Sequence, residues 1–116
     1  MKIIRLTVRE CLCEEYRSAM TKEDWENEID YLSHFPKDAL QYRQYLALKD
    51  LTWEQVVAAA EGEEDIKYTV VCRHKIYNLS LADCISEIMR ERAYDNGSVD
   101  SWGLDDREEE LEVEEI

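Results

Sequence analysis

Every second residue near the start of the chain is apolar, and a second region further along repeats this alternation. A period of two residues is typical of a strand with one buried face. The pattern predicts a first strand over residues 2–8, continuing toward residue 12, and a second strand over residues 66–77. The apolar positions of the first strand are Ile4, Leu6 and Val8.

Local capping signals predict where two helices begin. Thr21 is followed by Asp24, and Thr52 by Gln55, so each threonine precedes a side chain that can close a hydrogen-bonded cap. Apolar residues then recur at helical spacing, which predicts one helix from Thr21 to about residue 33 and another over residues 53–61. Gly62 is the expected stop of the second of these helices.

Two further helices follow from spacing and from helix breakers. One is predicted from residue 36 or 37 to residue 49, and the last from residue 81 to about residue 94, before Asn96 and Gly97. The expected order is β-α-α-α-β-α. The sequence therefore predicts an α+β fold, in which a small sheet of two or three strands packs against about four helices. Residues 1–97 form a single domain in this interpretation, and residues 98–116 form an acidic C-terminal tail.

Negative charge is concentrated near the end of the chain. The formal net charge is −14, and residues 95–116 hold ten acidic residues and one basic residue. Such a field repels nucleic acid and anionic membranes and attracts basic surfaces. The predicted partner is a basic protein that itself binds nucleic acid, with no direct binding to nucleic acid or membrane. No secretory signal or long apolar run is present, which predicts a cytoplasmic protein.

The acidic tail has three interpretations. In a helix, one stripe would be formed by Asp105, Glu108, Glu112 and Glu115. In an extended segment, Leu111 and Val113 would face away from the neighbouring glutamates, an arrangement that suits docking on a sheet edge. The third interpretation is a solvated tail that only aids solubility.

Carboxylates on the first predicted helix and in the tail are the candidate binding groups. Rows of carboxylates can imitate phosphates, because a DNA-binding groove is built to neutralise closely spaced negative charge. Trp102 is a candidate anchor, since tryptophan is common at interfaces, although it could also fold back on the domain. The carboxylates of the first helix, Glu23, Glu26 and Asp30, could equally form the solvent-exposed face of an amphipathic helix. The candidate partner-binding residues are Glu23, Glu26, Asp30, Trp102, Asp105, Asp106, Glu108, Glu109, Glu110 and Glu112.

Two Cys and His pairs were weighed as metal ligands. Cys11 with Cys13, and Cys72 with His74, have the spacing at which a strand presents two side chains on one face. No C-x-x-C motif occurs, and Cys72 with His74 falls on the expected core face, so buried thiols are favoured and no metal or cofactor is predicted. With three glycines and no nucleophile motif, no catalytic residue is assigned and the chain is not predicted to be an enzyme.

The segment from Leu51 to Gly62 resembles the first helix and turn of a helix-turn-helix, as in phage repressors. The resemblance covers about twelve residues. Acidic residues and a predicted strand follow Gly62, where that family has a basic recognition helix. The resemblance therefore does not bring a DNA-binding function to this chain.

Two functions remain open from the sequence. The first is an acidic inhibitor or decoy that occupies the basic nucleic-acid-binding surface of a nuclease or DNA-binding protein, a DNA mimic of the anti-restriction or anti-CRISPR type found in phages. The alternative is a cytosolic adaptor or regulatory subunit that binds through apolar and aromatic residues, with the acidic tail giving solubility only.

Overall fold

The structure is a computed structural model that describes residues 1–9, 15–95 and 108–116. Within these ranges it contains five strands and four helices. The α+β class, with four helices and a small sheet, is confirmed. In chain order the elements are β1 (Lys2–Arg9), β2 (Glu15–Met20), α1 (Lys22–Ser33), α2 (Leu40–Leu48), α3 (Trp53–Glu61), β3 (Lys67–Cys72), β4 (Lys75–Ser80), α4 (Leu81–Asp95) and β5 (Glu108–Glu115).

The strands form two separate sheets. β1 is the centre of a three-stranded antiparallel sheet in the order β2-β1-β5, and β3 with β4 forms a two-stranded hairpin. In the larger sheet Leu6 of β1 lies opposite Ser18 of β2 and Leu111 of β5. The apolar face of β1 therefore continues onto the last strand of the chain.

Helices α3 and α4 cover this apolar face. α3 contacts β1 and β5, and α4 contacts β1 and β2. The alternating residues of β1 are buried, as their pattern predicted, because they meet apolar side chains from both helices. The core cluster is Ile4, Leu6, Val8, Met20, Trp25, Leu48, Val56, Ala59, Ala60, Leu81, Ile85 and Met89.

Two helix starts follow from the capping signals read in the sequence. Thr21 and Thr52 each accept a hydrogen bond from the backbone three residues on, and Asp24 and Gln55 each accept one from the backbone of the cap. Gly62 ends α3 in the left-handed conformation, with φ at 73°. These predictions are confirmed because each cap involves only residues close in sequence.

The predicted single strand over residues 66–77 is wrong in detail, because these residues form most of a hairpin. Arg73 and His74 turn the chain with φ at 52° and 65°, and Cys72 then pairs with Lys75. A two-residue turn with two positive φ angles favours Asn and Gly, so the sequence carries no turn signal here. The reversal also moves His74 into the turn, and it is exposed while Cys72 is buried.

The described part of the predicted acidic tail is a strand of the domain. Glu108–Glu115 pairs with the whole of β1, and Leu111 and Val113 pack against the core. The extended interpretation, with glutamates on one side and apolar residues on the other, is therefore the one that the structure shows for residues 108–115. The division of the chain at residue 97 stays a prediction.

None of the helices in the described part of the chain is both long enough and apolar enough to cross a membrane.

Candidate functional site

The glutamates of β5 lie on the sheet face opposite the helices. Residues at even positions of β5 share this face with arginines of β1 and β2, because side chains alternate along each strand. We call this surface the charged sheet face. It comprises Arg5, Arg9, Glu15, Arg17, Glu108, Glu110, Glu112 and Glu114.

Much of the negative charge on the charged sheet face is neutralised within the chain. Arg5 Nε lies 2.8 Å from Glu114 Oε1, and Arg9 Nη1 lies 3.2 Å from Glu110 Oε2. Each of these pairs joins residues that lie more than 100 positions apart in the chain. The row of carboxylates expected from the sequence is thus partly neutralised, because Glu110 and Glu114 form ion pairs with arginines of β1.

Glu112 lies between two other carboxylates on the charged sheet face, Glu110 and Glu114. A hydrogen bond with Glu110, together with the negative charge of that neighbour, raises the pKa of Glu112 above its usual value. Such a hydrogen bond between carboxyl groups requires one of them to hold a proton. Ionisation of Glu112 therefore works against the folded state.

Replacing Glu112 by Gln is expected to raise the urea midpoint at pH 7 and to leave it nearly unchanged below about pH 4. A carboxyl group whose pKa is higher in the folded than in the unfolded protein stabilises the fold below its unfolded pKa. That contribution is lost as the pH rises through the folded pKa. Urea unfolding of both proteins across this range gives the comparison, with the exposed Glu64→Gln as control. A midpoint difference that does not change with pH would contradict this account.

The structure places the predicted binding residues on different surfaces. Glu109 lies on the other side of β5, with Oε1 at 3.3 Å from Arg90 Nε, and Asp30 lies 3.4 Å from His34 on α1. Glu23 is exposed, and Glu26 lines a groove between α1 and α3 beside Trp53. Trp102, Asp105 and Asp106 lie outside the described residues. Their roles in binding a partner stay predictions.

A groove between α1, α2 and α4 has the clearest surplus of negative charge. We call it the acidic groove. Its volume is about 360 Å³, and none of the described residues that line it is a lysine or an arginine. It is lined by Glu28, Tyr31, Leu32, Phe35, Leu40, Gln41, Gln44, Cys84, Glu87, Ile88 and Glu91.

The arginines of α4 are engaged away from the acidic groove. Arg90 lies against Glu109 of β5, and Arg92 Nη2 lies 3.3 Å from Asp24 Oδ1 at the start of α1. Glu87 and Glu91 are four residues apart and so lie one above the other on a single face of α4. α1 contributes Glu28 to the same groove, and so three carboxylates line it.

Cys84 lies between the carboxylates and the core. Burial raises the pKa of its thiol, and the charges of Glu87, Glu28 and Glu91 raise it further, while a hydrogen bond with Tyr68 lowers it. The thiol is therefore protonated near neutral pH. The effect of all three glutamates on one side chain shows that their negative fields converge in the groove.

Aromatic and aliphatic side chains complete the acidic groove. The rings of Tyr31 and Phe35 meet edge to face with centroids 5.2 Å apart, and Tyr31 remains 59% exposed. Leu32 and Ile88 continue inward to the core cluster. A cationic side chain with an apolar stem can use both parts of such a surface.

The sequence pattern does not distinguish this groove. The spacing of Glu87 and Glu91 on either side of Ile88 is visible in the sequence, but the same pattern is typical of a solvated helix face. Because Arg90 and Arg92 point to other carboxylates, Glu87 and Glu91 have no cation beside them within the described part of the chain.

The pair weighed as metal ligands does not come together. Cys72 Sγ hydrogen-bonds the backbone carbonyl of Asp38 at 3.4 Å, and His74 is exposed in the hairpin turn. Cys11 and Cys13 lie outside the described residues. Within those residues, no group of three His, Cys, Asp or Glu side chains is arranged to hold a metal ion.

Comparisons with known protein families, with curated proteins and with solved structures find no match to this chain.

Proposed function

We propose that the chain is a non-catalytic, acidic protein-binding inhibitor or decoy that occupies the basic nucleic-acid-binding surface of a nuclease or DNA-binding protein. The observation that carries the proposal is the acidic groove, where Glu28, Glu87 and Glu91 converge and no basic residue is among the described lining. A basic partner would place cations against Glu87 and Glu91, which form no ion pair within the described residues. This role belongs in the cytoplasm and is of the kind that phages direct against restriction or CRISPR nucleases.

The charge of the whole chain favours the same class of partner. A net charge of −14 speeds encounter with a basic surface and opposes contact with nucleic acid itself. The groove adds short-range contacts, since Tyr31 is exposed at its rim above apolar side chains. The negative charge would therefore speed association with the partner, and contacts with the aromatic rim would slow its dissociation.

An adaptor that binds through apolar residues is a second candidate. The observation that favours it lies on the hairpin, where Val71 and Ile76 are 55% and 68% exposed. These side chains are paired across the strands and form one small apolar surface. Binding through this surface would depend little on salt.

Affinity capture from a lysate separates the two functions. The immobilised chain is loaded at low salt, and bound proteins are released in steps of rising salt or by competition with duplex DNA. A decoy is expected to release a nucleic-acid-binding protein under both conditions, because both weaken charge pairing. A partner that stays bound at about 1 M salt and in excess DNA would overturn the decoy proposal and favour the adaptor.

A further inference from the structure

The β3–β4 hairpin presents an apolar surface that the described fold does not cover. Val71 lies directly opposite Ile76, and both side chains are more than half exposed. The other side of the hairpin packs on α2, where Val70 and Cys72 are buried. The face with Val71 and Ile76 is therefore left uncovered by the described residues, and it is available to meet another molecule.

The tip of this hairpin is basic in an acidic chain. Arg73, His74 and Lys75 follow one another, and none of their side chains takes part in an ion pair or hydrogen bond within the described residues. Arg73 and His74 also adopt positive φ, a conformation that costs about 1–2 kcal/mol for a residue with a Cβ. Glycine or asparagine would turn the chain more favourably, and the larger side chains place positive charge at the tip instead.

We propose that the hairpin tip of one copy of the chain docks into the acidic groove of a second copy. Arg73 and Lys75 would face Glu87 and Glu91, which have no neighbouring cation among the described residues of their own copy. The apolar pair beside the tip would meet the aromatic rim of the groove. The two surfaces are thus complementary in charge and both carry apolar area.

The geometry of such a contact determines how the copies assemble. The tip and the groove are different surfaces, so two copies can either exchange both contacts in a closed two-fold dimer or make a single head-to-tail contact that leaves one tip and one groove free. Single head-to-tail contacts would allow assembly to continue to a ring or an open chain. Either assembly also occupies the groove of the proposed function, so that self-association and partner binding would exclude each other.

Two variants, each with two charged side chains replaced by neutral glutamine, test the contact. The experiment needs only the purified chain and no partner protein. One carries Arg73→Gln and Lys75→Gln at the tip, and the other carries Glu87→Gln and Glu91→Gln in the groove. In sedimentation velocity at low salt, the wild-type chain is expected to gain mass as its concentration rises. Each variant alone is expected to associate at least tenfold more weakly.

Mixing the two variants in equal amounts gives the decisive comparison. The groove variant keeps an intact tip and the tip variant keeps an intact groove, so one native contact can form and no further contact can follow it. A species of twice the monomer mass, with nothing larger, is expected. Its appearance would also show that both variants are folded, which circular dichroism checks independently.

Three results would overturn the proposal: a wild-type chain that stays monomeric up to about 1 mM, association that neither variant weakens, or association that only one of them weakens. The tip variant retains the acidic groove and should still capture the basic partner. Failure of self-association and failure of the proposed function are therefore distinguishable.

Discussion

A chain that ends at residue 107 is expected to lose the cooperative unfolding transition of the full-length protein. The deletion removes β5, which pairs with β1 over its whole length and supplies Leu111 and Val113 to the core. Both side chains are partly buried, so each contributes less than the ~1.5–3 kcal/mol of a fully buried one. Small domains have a total stability of about 5–15 kcal/mol, and the deletion also removes the hydrogen bonds along one edge of β1 and uncovers the core beneath β5. Urea unfolding followed by circular dichroism and tryptophan fluorescence measures the effect.

A matched variant separates the strand from its charge. Replacing Glu108, Glu110 and Glu112 by glutamine in the full-length chain removes three negative charges but keeps Leu111 and Val113. This variant is expected to keep the cooperative unfolding transition, because the loss of the Arg9–Glu110 ion pair opposes the gain expected from Glu112→Gln. If the truncated chain instead retained the wild-type midpoint, β5 would be dispensable and the assignment of residues 108–115 to the sheet would fail. Because loss of β5 is expected to unfold the chain, deleting this segment is a poor test of partner binding.

Reversing the two carboxylates of α4 is expected to weaken binding of the captured partner by at least about a hundredfold. The variant carries Glu87→Lys and Glu91→Lys. Like charges placed against each other across an interface cost several kcal/mol, and a hundredfold loss corresponds to about 2.7 kcal/mol. Isothermal titration calorimetry at fixed ionic strength measures the change. The difference in partner affinity between the wild type and this variant should decrease as salt rises, because exposed charges are screened.

A second reversal with the same change in net charge provides the control. Glu63→Lys with Glu64→Lys alters two exposed residues that follow α3 and leaves the acidic groove unchanged. This control is expected to slow association slightly through the weaker overall field, with little effect on dissociation. Equal losses in the two variants would mean that net charge, and no particular groove, determines binding.

The helices show how much of the fold short-range chemistry decides. The limits predicted for α3 match the structure, because Thr52, Gln55 and Gly62 satisfy the ends of the helix with neighbouring atoms. The same holds for the start of α1 at Thr21 and Asp24. α2 lacks a side-chain cap, and its predicted start at residue 36 or 37 is three to four residues too early.

The strands show where a local pattern is insufficient. The hairpin over residues 67–80 keeps its alternation through the two-residue turn, and so its sequence resembles one continuous strand. β2 has no β-branched residue and β5 is rich in glutamate, so neither has the composition of a typical strand. Both exist because β1 provides hydrogen bonds along its two edges.

From the amino-acid sequence follow the four helices, the buried face of β1, the surplus of acid and the absence of a catalytic motif. These properties depend on composition or on residues a few positions apart. The tertiary structure decides which carboxylates are paired with a cation. The pairs Arg9–Glu110 and Arg92–Asp24 join side chains that meet only after folding. Glu87 and Glu91 are exposed with no cation beside them among the described residues, because Arg90 and Arg92 of the same helix lie against Glu109 and Asp24.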